Sequence, residues 1–191
     1  MNTLLLASNS PRRSDFLKQC HYQFSVIPSN VDETIQEGLP LKEVVCTLAL
    51  RKAKHVAASN QNSVVLGADT VVSYKGNLLG KPRSKQEARE MLMLLSGNTH
   101  DVCTGVAIVK GEQVRVFYEI AKVTMTSITT EQLDRYLRSD DSMDKAGAYG
   151  IQSLGGMFVS RLEGDFYTVA GLPLSRTVEE LERFQIYPHI S

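Results

Sequence analysis

Leu4-Leu5-Leu6-Ala7-Ser8-Asn9-Ser10-Pro11-Arg12-Arg13 opens the chain with bare leucines that run directly into small polar residues, a proline and two arginines. The leucines read as a buried strand. Ser10 stands where a helix N-cap belongs, and Pro11 takes the first helical position, where a missing N–H is harmless. Strand, short turn and helix in that order begin an α/β fold. Arg12 and Arg13 then fall in the first helical turn, beside the positive end of the helix dipole, which disfavours cations by roughly 0.3–1 kcal/mol each. An anion held at the turn by backbone N–H groups, serine hydroxyls and both guanidiniums removes the conflict. Two solvated arginines on a surface helix are the plainer alternative.

Beyond this opening the alternation continues. The first helix is expected to reach about Cys20, and Tyr22 to Ile27 to form a second strand. A polar loop from Pro28 to Gly38 then carries Asp32 and Glu33. Leu41, Val44, Val45, Leu48, Ala49 and Val56 recur at intervals of three and four, which predicts a helix from Pro40 to about Ser59. Ser63 to Ser73 is an almost unbroken apolar strand, turned by Lys75-Gly76-Asn77 toward Leu78-Leu79 and Gly80-Lys81-Pro82. Ser84 with Glu87 makes a capping box for a helix to about Leu95, ended by Ser96-Gly97. Asp101 to Val109 and Val114 to Ser127 read as paired strands, and Thr129 with Gln132 caps a short helix. Asp144 to Gln152 is irregular and glycine-bearing. Met157 to Leu162 and Phe166 to Val169 are expected to form a hairpin about Glu163-Gly164-Asp165. Gly171-Leu172-Pro173 leads into a last helix ending near Phe184. No linker, repeat or low-complexity stretch intervenes, so residues 1–191 are expected to form one α/β unit with room for two lobes.

Lys plus Arg and Asp plus Glu number 21 each, so the formal net charge is zero. A general nucleic-acid binder draws its affinity from excess cations against phosphates, and that class is disfavoured. Any anion site has to be a local concentration of charge. Cys20, Cys46 and Cys103 contain no C-x-x-C pair, and His21, His55, His100 and His189 lack metal-ligand spacing, so neither set reads as a disulfide frame or a zinc site. No segment approaches the roughly 18 apolar residues of a membrane span. The leucine run is too short for a signal-peptide core. A cytoplasmic protein that engages neither membrane nor nucleic acid is the expectation.

Two charges stand in apolar surroundings. Lys52 lies on the same helical face as Val45, Leu48 and Val56, so it must either snorkel out or meet an anion in a cleft; Lys54 shows where this helix puts a solvated cation. Asp69 sits in the middle of Val64-Val65-Leu66-Gly67-Ala68-Asp69-Thr70-Val71-Val72, where a carboxylate needs a cation or a wet cleft. Gly67 permits a close approach of backbone or ligand beside it. Glu33 and Asp32 can supply further oxygens to a divalent ion, and Lys81 between Gly80 and Pro82 suits a phosphate clamp. Arg12, Arg13, Lys52 and Lys81 against Glu33 and Asp69 in a neutral chain point to a polyphosphate with a divalent metal. The G-x-x-x-x-G-K-[ST] loop is absent, so the frame is not the usual one for phosphoryl transfer.

Ser8-x-Ser10-Pro11-Arg12-Arg13, Val31-Asp32-Glu33, Lys52-Ala53-Lys54, Gly67-Ala68-Asp69-Thr70, Gly80-Lys81-Pro82, Leu95-Ser96-Gly97, Asp144-Lys145-Ala146-Gly147-Ala148-Tyr149-Gly150-Ile151-Gln152, Gly164-Asp165-Phe166-Tyr167 and Gly171-Leu172-Pro173 together resemble the ordered motifs of the Maf family of nucleotide pyrophosphatases. The resemblance covers nearly the whole chain. It implies an elongated, two-lobed mixed-sheet α/β fold with a central cleft, like that of the inosine-triphosphate pyrophosphatases, and a homodimer as one assembly state. It also implies hydrolysis of nucleoside triphosphates between the α and β phosphates with Mg²⁺ or Mn²⁺, and makes Asp69 the proton acceptor. Arg12, Thr70 and Gln152 match the branch acting on dTTP and UTP; the glutamine amide has the donor and acceptor that a uracil or thymine edge requires.

On that basis the triphosphate is expected to lie across Ser8, Arg12, Arg13, Lys52 and Lys81, with the metal bridging its oxygens to Glu33 and Asp69. The implied roles are nucleotide-pool sanitation and cell-division arrest. Two alternatives are the same chemistry on CTP or a modified purine nucleotide, and an inhibitor of septum formation that acts by protein interaction.

Overall fold

The computed structural model describes residues 3–34 and 38–190. Its elements alternate in the expected manner: β1 (Leu4–Leu6), α1 (Pro11–Gln19), β2 (Phe24–Val26), α2 (Leu41–Ala57), β3 (Val64–Tyr74), β4 (Asn77–Leu79), α3 (Lys85–Leu95), β5 (Thr99–Lys110), β6 (Gln113–Met125), α4 (Thr130–Leu137), β7 (Val159–Glu163), α5 (Phe166–Ala170) and α6 (Leu174–Arg183). Short 3₁₀ turns occupy Ala146–Ala148 and Leu154–Phe158. The strands form a mixed sheet in the order β2-β1-β3-β5-β6-β7, with β4 on β3. The α/β class is as expected.

The chain divides into two compact units, one of Met1–Asp69, Thr104–Glu119 and Gly171–Ser191, the other of Thr70–Cys103 and Ile120–Ala170. In the first, β1 pairs in parallel with β2 (Leu4 opposite Phe24) and with β3 (Leu4 opposite Val64). Parallel neighbours need crossover connections, and α1 and α2 supply them. Leu5, Val65, Ala107 and Val109 of the strands pack on Ala49, Ala53, Val56 and Ala57 of α2. Two glycines set how near that helix comes. A Cβ on Gly67 would stand 2.5 Å from the Ala49 carbonyl oxygen and 2.8 Å from Ala53 N, and one on Gly105 would stand 2.5 Å from the Val45 carbonyl. The close approach expected at Gly67 is therefore that of the α2 backbone, which no larger residue would allow.

In the second unit α3 and α4 bury Leu92, Leu95, Leu133 and Tyr136 with Val72, Val102, Val123 and Phe158. Ser84 accepts from Glu87 N at 3.1 Å, but the Glu87 carboxylate turns to Arg83 N at 2.7 Å, so only half of the expected capping box forms. Thr129 and Gln132 form the complete reciprocal box. The expected hairpin after Glu163 is wrong: β7 pairs with β6, and Phe166–Ala170 is a helix. The reason is Asp165, whose carboxylate accepts from Tyr167 N at 3.1 Å, Thr168 N at 2.7 Å and Thr168 Oγ1 at 2.8 Å. That is helix capping, and it outweighs the aromatic and β-branched character of Phe-Tyr-Thr-Val.

Candidate active site

The first unit gathers five charged residues. Lys52, 5% exposed, points inward from the buried stripe of α2, and its Nζ lies 2.6 Å from Asp69 Oδ1 and 2.8 Å from Glu33 Oε1. Lys54, on the outer face, is exposed. A buried ammonium is tolerated only when its charge and protons are matched, and here two carboxylates match it. Gly67 is part of this geometry. Residues 67 and 69 share a face of β3, and the helix that Gly67 lets approach carries Lys52 one residue before Ala53.

Glu33 comes from the loop after β2. Arg51 Nη1 donates to the Asp32 carbonyl at 2.5 Å and ties that loop to α2. The Asp32 carboxylate accepts from Thr34 Oγ1 at 2.5 Å and Thr34 N at 2.8 Å, bonds that hold its pKa below the usual carboxylate value. Asp32 is thus turned toward its own loop, while Glu33 faces Lys52.

At the other end, Ser8 and Arg13 form the floor of the β1–α1 turn. Ser10 is the N-cap residue of α1 in backbone conformation, but its side chain caps nothing; its N–H donates to Ser8 Oγ at 3.2 Å. Arg13, 8% exposed, donates from Nη1 to the same Ser8 oxygen at 3.1 Å and from Nε to the Gly171 carbonyl at 2.7 Å. Gly171 adopts φ +111°, a conformation open to glycine, and its carbonyl meets the guanidinium. Burial draws the Arg13 pKa down to about 10; Asp69 and Glu33 raise it, the neighbouring Arg12 lowers it, and the group stays cationic at neutral pH. Lys52 and Arg13 thus stand in the field of Glu33 and Asp69, and Arg12 adds a third positive charge beside Arg13.

Among the described residues no three or more His, Cys, Asp or Glu side chains group into a metal cage. Glu33 and Asp69 are nevertheless hard oxygen donors that meet on the Lys52 ammonium, and Mg²⁺ commonly takes one or two carboxylates with the remaining oxygens from phosphates and water. In chemical kind these two carboxylates could hold a divalent ion. Thr70 follows Asp69 on β3, half-buried and pointing to the opposite face. Lys81 and Gln152 are exposed residues of the second unit, on segments joined by the Gly147 N–H to Gly80 carbonyl bond at 3.1 Å.

A family model described as Maf-like protein matches residues 3–184. The chain belongs to the Maf family. A relative of this Maf protein from Shouchella clausii (strain KSM-K16), named dTTP/UTP pyrophosphatase, is 62% identical over 190 residues and spans all of both chains. One of the same name from Bacillus anthracis (strain CDC 684 / NRRL 3495) is 48% identical over 186 residues, 97% of each chain. Among solved structures, the Staphylococcus aureus Ham1 protein aligns with a TM-score of 0.52 at 13% identity over 96% of this chain and 100% of that one, a likeness of fold alone. The family expected from the ordered motifs is confirmed. Among the described residues no helix of this Maf protein is long and apolar enough to cross a membrane.

Reading the sequence missed Arg51, the tie that delivers Glu33, and the carbonyl of Gly171 as the acceptor for Arg13. The closing Gly171-Leu172-Pro173 motif was the available signal for the second; one surface arginine among many offered none for the first.

Proposed function

We propose that this Maf protein hydrolyses dTTP and UTP between the α and β phosphates, releasing the nucleoside monophosphate and pyrophosphate. The observation that carries the reading is the Glu33–Lys52–Asp69 arrangement, two carboxylates on one buried ammonium beside the Ser8–Arg13 turn. The names of the full-length relatives supply the nucleotide. Arg13, its side chain fixed by Ser8 and Gly171, offers a cation that need not reorganise when a phosphate arrives. Lys52 neutralises charge on the phosphate tail and on the departing pyrophosphate. Asp69, with Oδ1 engaged by Lys52, orients the attacking water and takes its proton on Oδ2.

Glu33 and Asp69 would hold the divalent ion, which supplies charge neutralisation on the phosphate oxygens when bound. Gln152 reads the pyrimidine edge, with Arg12 and Thr70 as the other determinants of base preference, and Lys81 clamps phosphate. On this reading, effects on nucleotide pools or cell division follow from hydrolysis and vanish with Asp69. The test is a panel of triphosphates assayed for pyrophosphate against orthophosphate release, with and without Mg²⁺ or Mn²⁺. Pyrophosphate from dTTP and UTP ahead of CTP and the purines is expected; orthophosphate as the product, or no preference among bases, contradicts it.

A further inference from the structure

Asp141, just beyond α4, has no part in the roles above. Its Oδ2 accepts from Tyr136 Oη, Ser153 Oγ and Gly155 N, each at 3.0 Å, and its Oδ1 lies 3.1 Å from Lys145 Nζ. Lys145, 8% exposed, also donates to the Asp141 carbonyl at 2.8 Å and to Asp144 Oδ1 at 2.5 Å. Burial opposes the charge on Asp141, but the bonds from Ser153, Lys145 and Gly155 outweigh it and keep the carboxyl below its ordinary pKa. One side chain therefore joins a helix to both ends of the irregular Asp144–Gln152 stretch.

That stretch does not hold itself in place by regular structure. Gly147 and Ala148 have φ of +68° and +63°, and for alanine this conformation is strained, so its surroundings must impose it. Tyr136 Oη, 3.0 Å from the Ala148 carbonyl, is one such constraint. Lys145 is another: a Cβ on Gly150 would stand 2.6 Å from Lys145 Cε and 2.4 Å from Ser153 Oγ, so the chain wraps closely round the lysine stem. Gln152 is exposed and immediately precedes Ser153; its place depends on the segment that Asp141 grips through the Ser153 hydroxyl and the Gly155 N–H.

We propose that Asp141 is a positioning residue for base selection: its carboxylate clamps residues 144–155 so that Gln152 meets the pyrimidine edge in one fixed place. This rests on the reading of Gln152 as the base reader. A carboxylate suits the task because both oxygens accept; asparagine keeps the volume but turns an NH₂ donor toward other donors.

The test compares kcat/KM for UTP against CTP in Asp141→Asn, Gln152→Ala and the double variant. A merely structural defect slows both nucleotides alike and leaves their ratio unchanged. Each single variant is expected to lower the UTP preference on the order of tenfold, and the double variant no further, because interacting residues are not additive. An unchanged ratio in Asp141→Asn while Gln152→Ala shifts it overturns the proposal, as do effects that simply multiply. No shift in Gln152→Ala itself shows that the base reading fails, and the proposal with it. Should Asp141→Asn not fold, Ser153→Ala carries the same test: about a threefold fall, absent in the Gln152→Ala background, supports the clamp, and an unchanged ratio overturns it.

Discussion

Lys52 Nζ and Asp69 Oδ1 stand 2.6 Å apart, on side chains 6% and 11% exposed, and the same ammonium lies 2.8 Å from Glu33 Oε1. A helix residue and a strand residue 17 positions apart are thereby fixed against each other inside an otherwise apolar layer. Neither charge is tolerable there alone. Their pairing ties the stability of the first unit to its chemistry.

Lys52→Met should expose that tie. Removing one member of a buried pair leaves the other uncompensated, at a cost of about 3 kcal/mol, read as a lower midpoint in chemical denaturation. Adding Asp69→Asn to Lys52→Met should restore part of the loss, since the orphaned carboxylate is then gone. A double variant no more stable than Lys52→Met would mean that the pair is not coupled.

Gly67→Ala should act on the same pair from outside it. The added methyl meets the Ala49 carbonyl at 2.5 Å and must push α2 away from β3. Overpacking of this kind typically costs about 1–3 kcal/mol, and the displacement draws Lys52 from Asp69, so turnover should fall with thermal stability. Gly80, with nothing within 4 Å of an added Cβ, is the comparison for stability: Gly80→Ala should leave the melting temperature nearly unchanged. Equal melting temperatures for the two variants would contradict this geometry.

His100 gives the second unit a pH dependence. It is 3% exposed, its Nε2 lies 2.7 Å from Tyr149 Oη, and burial pulls its pKa from 6.5 down to about 4. As pH falls below 6.5 the unfolded chain takes up a proton that the folded one refuses, so stability declines and levels off below about 4. The full effect is up to about 3 kcal/mol. Unfolding free energies measured between pH 7 and pH 4 should show this slope, and His100→Gln should flatten it. The same slope in both proteins would assign it elsewhere.

What the sequence made legible follows from the physics of each residue. Lys52 and Asp69 stood out because a charge within an apolar pattern must be compensated, and each turned out to compensate the other. The turn at Ser8–Arg13 stood out because two cations at a helix start are misplaced. The helix after Gly164 was misread because one carboxylate, Asp165, bonds three donors that no periodicity reveals. Arg51 and Asp141 are hidden for the same reason: each acts through bonds that only the folded chain brings together, and neither breaks a sequence pattern. Gly67 is legible in the sequence and Gly105 is not, although both lie against α2, because only Gly67 neighbours a charge in an apolar run.

Asp69→Asn keeps the shape of the side chain and an oxygen facing Lys52, and removes the capacity to take a proton. Single-turnover pyrophosphate release from dTTP at saturating Mg²⁺, measured beside nucleotide binding and circular dichroism, reads that loss apart from weakened metal binding. Release should slow by about 10²–10⁴-fold, with the fold and nucleotide affinity retained. Release at close to the wild-type rate from a folded Asp69→Asn protein would place the chemistry somewhere other than this carboxylate.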